Sequence, residues 1–332
     1  MRVLITGATG FIGEHLVKKL LEDSDVRCLV RRETDIERFT KRGIDTTLGD
    51  VTDYESLKKA VAGVDVVYHL AGAISGLTRT HFHRINVLGC RKIAKAARRA
   101  KATPTVVYVS SMAAGGPAGS DKPRLEIEPP LPISQYGLTK LLGEREFSKV
   151  ASDVPVTVVR PSVVYGEGDK SSLEFFKPVS NGVFYFTGEA DWPFSLIDVR
   201  DLVDLLQLAQ SGQRLELGET NPGIGIYNAA GPDSPKLGEF GEILAKALHT
   251  KPPRSIKVPR ALITALGASS SAASLITRKP SILSLDKARE LNRGPWFVST
   301  QKAQDELGFT PKTPLQGGLE RVANWYKEKG WI

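Results

Sequence analysis

Tyr136 and Lys140 stand four residues apart in a stretch with helical periodicity, so both project from one side. A free phenol titrates near about 10 and is mostly idle as a base at neutral pH. A nearby ammonium favours the phenolate and lowers that value. Such a pair can exchange a proton with an alcohol or ketone while a nicotinamide exchanges hydride. Ser111 follows the apolar stretch Pro104–Ser110, which reads as a strand. Its hydroxyl is suited to stabilise a developing oxyanion or to fix the substrate oxygen. Asn86, on the long helical stretch Phe82–Ala100, is a candidate to hold Lys140 in place through a water. The spacing alone is not specific, because Tyr54 and Lys58 repeat it. Tyr54 follows the Asp50–Asp53 turn, however, and has no counterpart of Ser111 at an upstream strand end.

The elements that must position this chemistry begin at the first residues. Thr6–Gly13 reads TGATGFIG, between the strand-like Arg2–Thr6 and the helical pattern Ile12–Glu22. In that context the three glycines form a dinucleotide loop. Gly7 permits the tight turn, Gly10 the approach of a pyrophosphate, and Gly13 the close packing of helix on strand. The helix N-terminus offers free N–H groups and a positive dipole end to phosphates. The second strand, Val26–Val30, ends without an acid and is followed by Arg31 and Arg32. An acid there reads a ribose 2′-OH and an arginine a 2′-phosphate, so NADP(H) is favoured over NAD(H). Asp50, at the end of the third strand, is expected either to accept from the adenine amino group or to cap the following helix. The small residues of His69–Gly72 let the chain pass close to the cofactor.

Strand and helix patterns alternate through Arg160, which implies a parallel sheet covered on both faces. The expected fold is α/β, a Rossmann doubly wound parallel sheet with a smaller, mainly helical C-terminal substrate domain interleaved. Residues 1–165 form the dinucleotide domain, with 195–230 returning to it; residues 166–194 and 231–332 form the substrate domain. With 332 residues, 41% hydrophobic and 25% charged, the chain has the make-up of an ordinary globular protein. The net charge of +8 is scattered over helices such as Arg91–Lys101, which reads as solvated surface. A small-molecule substrate is therefore expected, and no nucleic acid. Two cysteines, Cys28 and Cys90, argue against a disulfide framework or a zinc site, and no metal is expected. No signal peptide is recognised, so the expected location is the cytoplasm. Ala261–Thr277 carries no charge but is rich in Ser, Ala and Gly and falls just short of a bilayer span. It is expected to be a buried or pocket-facing helix rather than an integral segment or a peripheral membrane contact.

Taken together, these pieces resemble an extended short-chain dehydrogenase/reductase of the NAD-dependent epimerase/dehydratase superfamily. The matching motifs are TGATGFIG, GDVTD at Gly49–Asp53, HLAG at His69–Gly72, NVLG at Asn86–Gly89 and SS at Ser110–Ser111. YGLTK at Tyr136–Lys140, RPSVVYG at Arg160–Gly166, FSLIDVRDL at Phe194–Leu202 and a C-terminal LGFTPKTPLQGGL with a later WY complete the set. The resemblance covers nearly the whole chain. It implies cofactor contacts from Gly7, Thr9, Gly10, Phe11, Ile12, Gly13, Arg31, Arg32, Asp50 and Val51. Further contacts are implied from Leu70, Ala71, Gly72, Ser110, Pro161 and Val163. It also implies a catalytic set of Ser111, Tyr136, Lys140 and Asn86, and commonly a homodimer paired through Phe82–Ala100 and Tyr136–Ala151.

Departures from the family pattern sort its chemistries. Dehydratases usually place an Asp-Glu pair after the catalytic Ser or Thr, whereas Met112 and Ala113 stand here. Sugar-nucleotide epimerases often carry a diphosphate-binding Arg where this chain has Phe194, with Trp192 nearby. Met112, Trp192 and Phe194 are accordingly candidate substrate residues for a less charged, more apolar molecule. The pattern is closer to the 3β-hydroxysteroid dehydrogenase and dihydroflavonol reductase branch. The leading expectation is a reductase or dehydrogenase acting on a ketone or secondary alcohol. A sugar or sugar-nucleotide epimerase and a non-catalytic dinucleotide-binding sensor or scaffold are the alternatives.

Overall fold

Strands buried on both faces are written as unbroken apolar runs, and this chain has several. In the computed structural model, which describes residues 1–76, 78–119, 122–212, 214–216, 223–277 and 284–332, they pair into one parallel sheet. The alternating half runs β1 (Arg2–Thr6), α1 (Phe11–Leu20), β2 (Asp25–Val30), α2 (Glu33–Thr40), β3 (Asp45–Leu48), α3 (Tyr54–Val61) and β4 (Val66–His69). It continues through α4 (Arg79–Phe82), α5 (Leu88–Arg98), β5 (Thr105–Val109), α6 (Met112–Gly115), α7 (Gln135–Ser148) and β6 (Val156–Pro161). Then come β7 (Val163–Tyr165), α8 (Leu173–Ser180), β8 (Val183–Phe186), β9 (Leu196–Asp198), α9 (Val199–Leu208) and β10 (Ile226–Ala229). The chain ends with α10 (Phe240–Leu248), β11 (Arg254–Lys257), α11 (Arg260–Thr277), α12 (Leu285–Leu291), α13 (Gln301–Leu307) and α14 (Leu315–Glu328).

The seven-stranded sheet has the order β10-β6-β5-β4-β1-β2-β3. The chain reverses direction across the sheet between β1 and β4, and open sheets of this kind bind ligands beyond the strand ends at that point. One apolar layer, including Leu16, Val17 and Leu206, covers one face of the sheet. A second, including Ile93, Ala97 and Phe147, covers the other. A third cluster forms the core of a C-terminal lobe, where Phe176, Phe240, Leu244, Val322 and Tyr326 meet. Ala303 of α13 and Phe309 pack into the sheet's own core, so the C-terminal third is divided between lobe and sheet.

Helix starts follow local capping chemistry. Asp53 caps α3 by accepting from the amides of Glu55 and Ser56, and Ser134 caps α7 by accepting from Gly137. The stretch expected as one helix over Phe82–Ala100 is helical without interruption from Arg79 to Arg98, with a π-helical turn set into it. That turn, at His83–Val87, joins α4 to α5, and Asn86 lies within it. Ala261–Thr277 is helical, but it is not buried: Leu262 and Leu266 are 49% and 45% exposed. Leu77 and Arg278, in segments expected near a pocket, lie outside the described residues.

Candidate active site

At the carboxyl edge of the sheet, the glycine loop turns from β1 into α1. Gly7 has φ of +79°, and a Cβ on it would lie 2.7 Å from the Ala71 amide nitrogen. A Cβ on Gly13 would fall 2.2 Å from the Gly7 carbonyl oxygen, so only glycine lets α1 come this close to the loop. At Gly10 the sole close neighbour of a Cβ is the Gly7 oxygen at 3.2 Å; the other side is open. Gly10 also begins α1 without a side-chain cap, leaving the first-turn amides, beginning with Phe11 and Ile12, for an outside acceptor. This cradle fits a dinucleotide pyrophosphate. Thr6 ties the loop to β4: its hydroxyl pairs with His69 Nδ1 at 2.7 Å and accepts from the Ala71 amide at 3.3 Å. His69 is wholly buried beside Lys140, and burial pulls its imidazole down to about 3, so it stays neutral.

Arg31 and Arg32 leave the end of β2 with exposed side chains, and neither guanidinium is engaged by another of the described residues. Asp50 does not cap α3, since Asp53 does. Its carboxylate instead closes a turn by accepting from the Thr52 amide and hydroxyl, each at 2.7 Å. Val51 is buried against Gly89, while Leu70 directly follows β4 and Pro161 ends β6 at the same carboxyl edge of the sheet.

The proton-transfer candidates converge on the end of β5. Ser111 caps the short α6, accepting from the Ala113 amide at 3.1 Å. Its side chain also lies close enough to the Tyr136 hydroxyl to favour the phenolate. Burial nonetheless pushes the Tyr136 phenol up to about 12; Ser111 opposes that rise and Glu290 adds to it. Lys140 follows one turn along α7, 4% exposed. Its ammonium donates to the Val109 carbonyl at 2.6 Å and lies 4.6 Å from the centre of the Tyr108 ring. Burial lowers Lys140 to about 8. The expected depression of Tyr136 by Lys140 is not seen: burial, Ser111 and Glu290 set the phenol, and burial disfavours charge on both groups.

Asn86 is almost fully buried, and its polar atoms are already engaged. Its Oδ1 accepts from the Ala73 amide at 2.7 Å, while its Nδ2 donates to the Ala73 carbonyl and to Thr139 Oγ1, both at 3.0 Å. The residue therefore pins the chain after β4 to the residue preceding Lys140. The look-alike pair does separate from the site. Tyr54 packs beneath Lys95, whose ammonium is 4.4 Å from the ring centre, and Lys58 is an exposed partner of Glu55.

The candidate substrate residues divide. Met112 adjoins Ser111. Phe194 belongs to the core of the C-terminal lobe, meeting Phe240 edge-on with ring centres 4.9 Å apart. Its half-buried ring is engaged in packing, and no contact among the described residues places it beside Ser111 or Tyr136. Trp192 packs under Arg260, 5.3 Å from the guanidinium carbon, and against Gly188.

Three further groups support the site, and the motifs did not single them out. Glu144, one turn beyond Lys140, is fully buried and grips Arg160 through two hydrogen bonds of 2.9 and 2.6 Å. It also accepts from the Ser110 hydroxyl at 2.5 Å. Asp286 of α12 accepts from the amides of Gln135 and Tyr136 at 2.7 and 3.1 Å. Glu290, one turn later, accepts from the Ser134 hydroxyl at 2.6 Å. The i, i+4 spacing of Tyr136, Lys140 and Glu144 was a usable signal for the first. Nothing local marks Asp286 or Glu290. Among the described residues, no cluster of His, Cys, Asp and Glu is arranged to hold a metal ion.

The sequence model of the NAD dependent epimerase/dehydratase family matches residues 3–218. The chain belongs to this family. It is an oxidoreductase or epimerase of the extended short-chain dehydrogenase/reductase type. The ceramide reductase of Caulobacter vibrioides is 30% identical over 334 residues, covering 99% of this chain and 96% of that protein. Sterol demethylase protein B of Methylococcus capsulatus is 28% identical and covers both chains completely. The dTDP-glucose 4,6-dehydratase of Streptomyces venezuelae, solved with NAD bound, superposes with a TM-score of 0.75 at 22% identity, covering 100% of this chain and 98% of that one. That last likeness is one of fold.

Proposed function

We propose that this family member is an NADP(H)-dependent reductase or dehydrogenase of a ketone or secondary alcohol on a relatively apolar small molecule. The carrying observation is the convergence on the end of β5 of Ser111, which eases ionisation of Tyr136, and buried Lys140, one turn beyond Tyr136 on the same helix. A reduced nicotinamide, held through its pyrophosphate by the Gly7–Gly13 loop, would supply the hydride for the carbonyl carbon. Tyr136, held as a neutral phenol at neutral pH, gives its proton to the carbonyl oxygen. Ser111 donates a hydrogen bond to that oxygen as charge develops on it. Lys140 supplies positive charge beside the tyrosinate that results, and Asn86 fixes the backbone that carries Lys140.

Gly7, Thr9, Gly10, Phe11, Ile12 and Gly13 hold the pyrophosphate, and Arg31 and Arg32 take the 2′-phosphate. Asp50 retains an oxygen for the adenine amino group, with Val51, Leu70, Ala71 and Gly72 along the adenosine. Ser110, Pro161 and Val163 border the nicotinamide. Met112 and Trp192 are the substrate candidates. Ceramide and sterol in the names of the two relatives support an apolar substrate. The absence of acids at Met112 and Ala113 speaks against dehydration. A cytoplasmic homodimer paired through α5 and α7 completes the proposal.

The test is NADPH consumption against a ketone panel, with Tyr136→Phe as the control. Stoichiometric oxidation is expected, and the variant should bind NADPH normally while turnover falls at least about 100-fold. Undiminished turnover in the variant would overturn the assignment. Epimer formation without net NADPH consumption would make the protein an epimerase, and binding without any turnover would make it a sensor.

A further inference from the structure

A helix exposed to water ordinarily carries charge on its outer face and apolar residues on its inner one. Helix α11 reverses this. Its inner face meets α12 through Gly267, Ser271 and Ser274. A Cβ on Gly267 would lie 2.8 Å from the Ala288 side chain. Ser271 Oγ accepts from the Leu285 amide at 2.8 Å, and Ser274 is buried. Leu262 and Leu266 stand on the opposite side with Ser269 and Ala273, all exposed, and no residue between Ala261 and Thr277 is charged. Small polar residues thus let α11 lie close to α12, while its leucines face outward.

Cations surround this helix. Arg254, Lys257 and Arg260 lead into it; Lys257 and Arg260 share the exposed Glu189. Arg289 and Arg293, on and just after the neighbouring α12, are exposed, border a cavity with Ile133 and have no charged partner among the described residues. Tyr185, 54% exposed, pairs with Ile256 in the two-stranded sheet that precedes α11. An apolar helix bordered by cations and an exposed aromatic matches the interface of an anionic bilayer, where leucines enter the acyl boundary and cations meet headgroups. No helix among the described residues is long and apolar enough to cross a membrane. A second copy seated symmetrically on this face would bring the same arginines against one another, which costs association energy.

We propose that α11 is a membrane-docking helix that lies in the surface of an anionic bilayer, with the C-terminal lobe against the lipid. This goes beyond the reductase reading and does not depend on it.

The experiment is flotation of the full chain with vesicles of phosphatidylcholine alone and of phosphatidylcholine mixed equally with phosphatidylglycerol. Association is expected with the mixed vesicles, more weakly with phosphatidylcholine alone, and less as salt is raised. Leu262→Asp with Leu266→Asp should lower binding at least about tenfold. Its unfolding temperature and NADPH affinity should match the parent. If the aspartates impair folding, Leu262→Gln with Leu266→Gln is read instead. Three results overturn the proposal: no association of the parent with mixed vesicles, undiminished association of the folded variant, or conversion of a dimer to a monomer by the variant. The last would mean that a second copy covers the face. None of these readouts requires turnover, so they leave the reductase assignment to its own test.

Discussion

The ammonium of Lys140 is bound 2.6 Å from the carbonyl oxygen of Val109, the last residue of β5. The strand thereby fixes the charge beside the helix that carries Tyr136. Since burial lowers Lys140 to about 8, that charge is lost just above neutral pH. Turnover in the reducing direction should therefore fall as pH rises through about 8, because the emerging tyrosinate loses its cation. Lys140 itself gives no drive to unfold over that range. Between about 8 and the ordinary lysine value of 10.5, the unfolded chain binds more protons at this residue than the folded one. Its contribution to stability therefore improves with rising pH over that window. Paired pH profiles of turnover and unfolding temperature will separate the two, and a parallel decline in both would contradict the account.

Among the described residues, Asp286 supplies the only side-chain acceptor for the Gln135 and Tyr136 amides at the start of α7. Asp286→Ala should lower stability by about 1 kcal/mol, the usual scale of a lost N-terminal cap. It should lower kcat about tenfold through displacement of Tyr136, equivalent to about 1.4 kcal/mol in the barrier. NADPH affinity should hold, and Asp286→Asn should recover part of kcat. Equal losses in kcat and cofactor binding would point to general damage instead.

Glu144 and Arg160 form a buried pair, 0% and 5% exposed at their side chains. Glu144→Ala leaves the guanidinium buried without its counter-charge and frees the Ser110 hydroxyl. The expected cost is about 3–5 kcal/mol, or a melting temperature roughly 6–15 °C lower. Calorimetry would measure it, and a change under about 2 °C would show that water reaches the pair.

Arg31→Ala with Arg32→Ala should weaken NADPH about tenfold or more, about 1.4 kcal/mol, and leave NADH nearly unchanged. Fluorescence titration of both cofactors decides it. Equal weakening of NADH would assign the pair a role unrelated to the 2′-phosphate.

What the sequence made legible was local. The glycine loop, the Tyr136–Lys140 spacing and the strand-helix alternation are each written within a few residues, and the sheet follows from them. The π-helical turn at Asn86 was not legible, because one extra residue per turn leaves hydrophobic periodicity nearly intact over so short a span. Phe194 illustrates a second limit. An aromatic residue replacing an arginine can line a pocket or fill a core, and only the fold brings it against Phe240. The outward leucines of α11 were hidden for a third reason. Ser, Ala and Gly suggested close packing, and they do pack closely, but on one face only. Asp286 and Glu290 were beyond reach altogether, because their partners lie about 150 positions away.

That same separation sets an order of events. As the chain leaves the ribosome, β10 emerges at residues 226–229 and completes the sheet. Asp286 and Glu290 have then yet to be made. A nascent chain at that stage has every strand of its nucleotide-binding half but lacks the clasp on its tyrosine. The clasp on Tyr136 thus arrives later in synthesis than the last strand of the sheet, together with the Ala303 and Phe309 side chains that pack into the sheet's core. The timing is written into which part of the gene encodes the clasp.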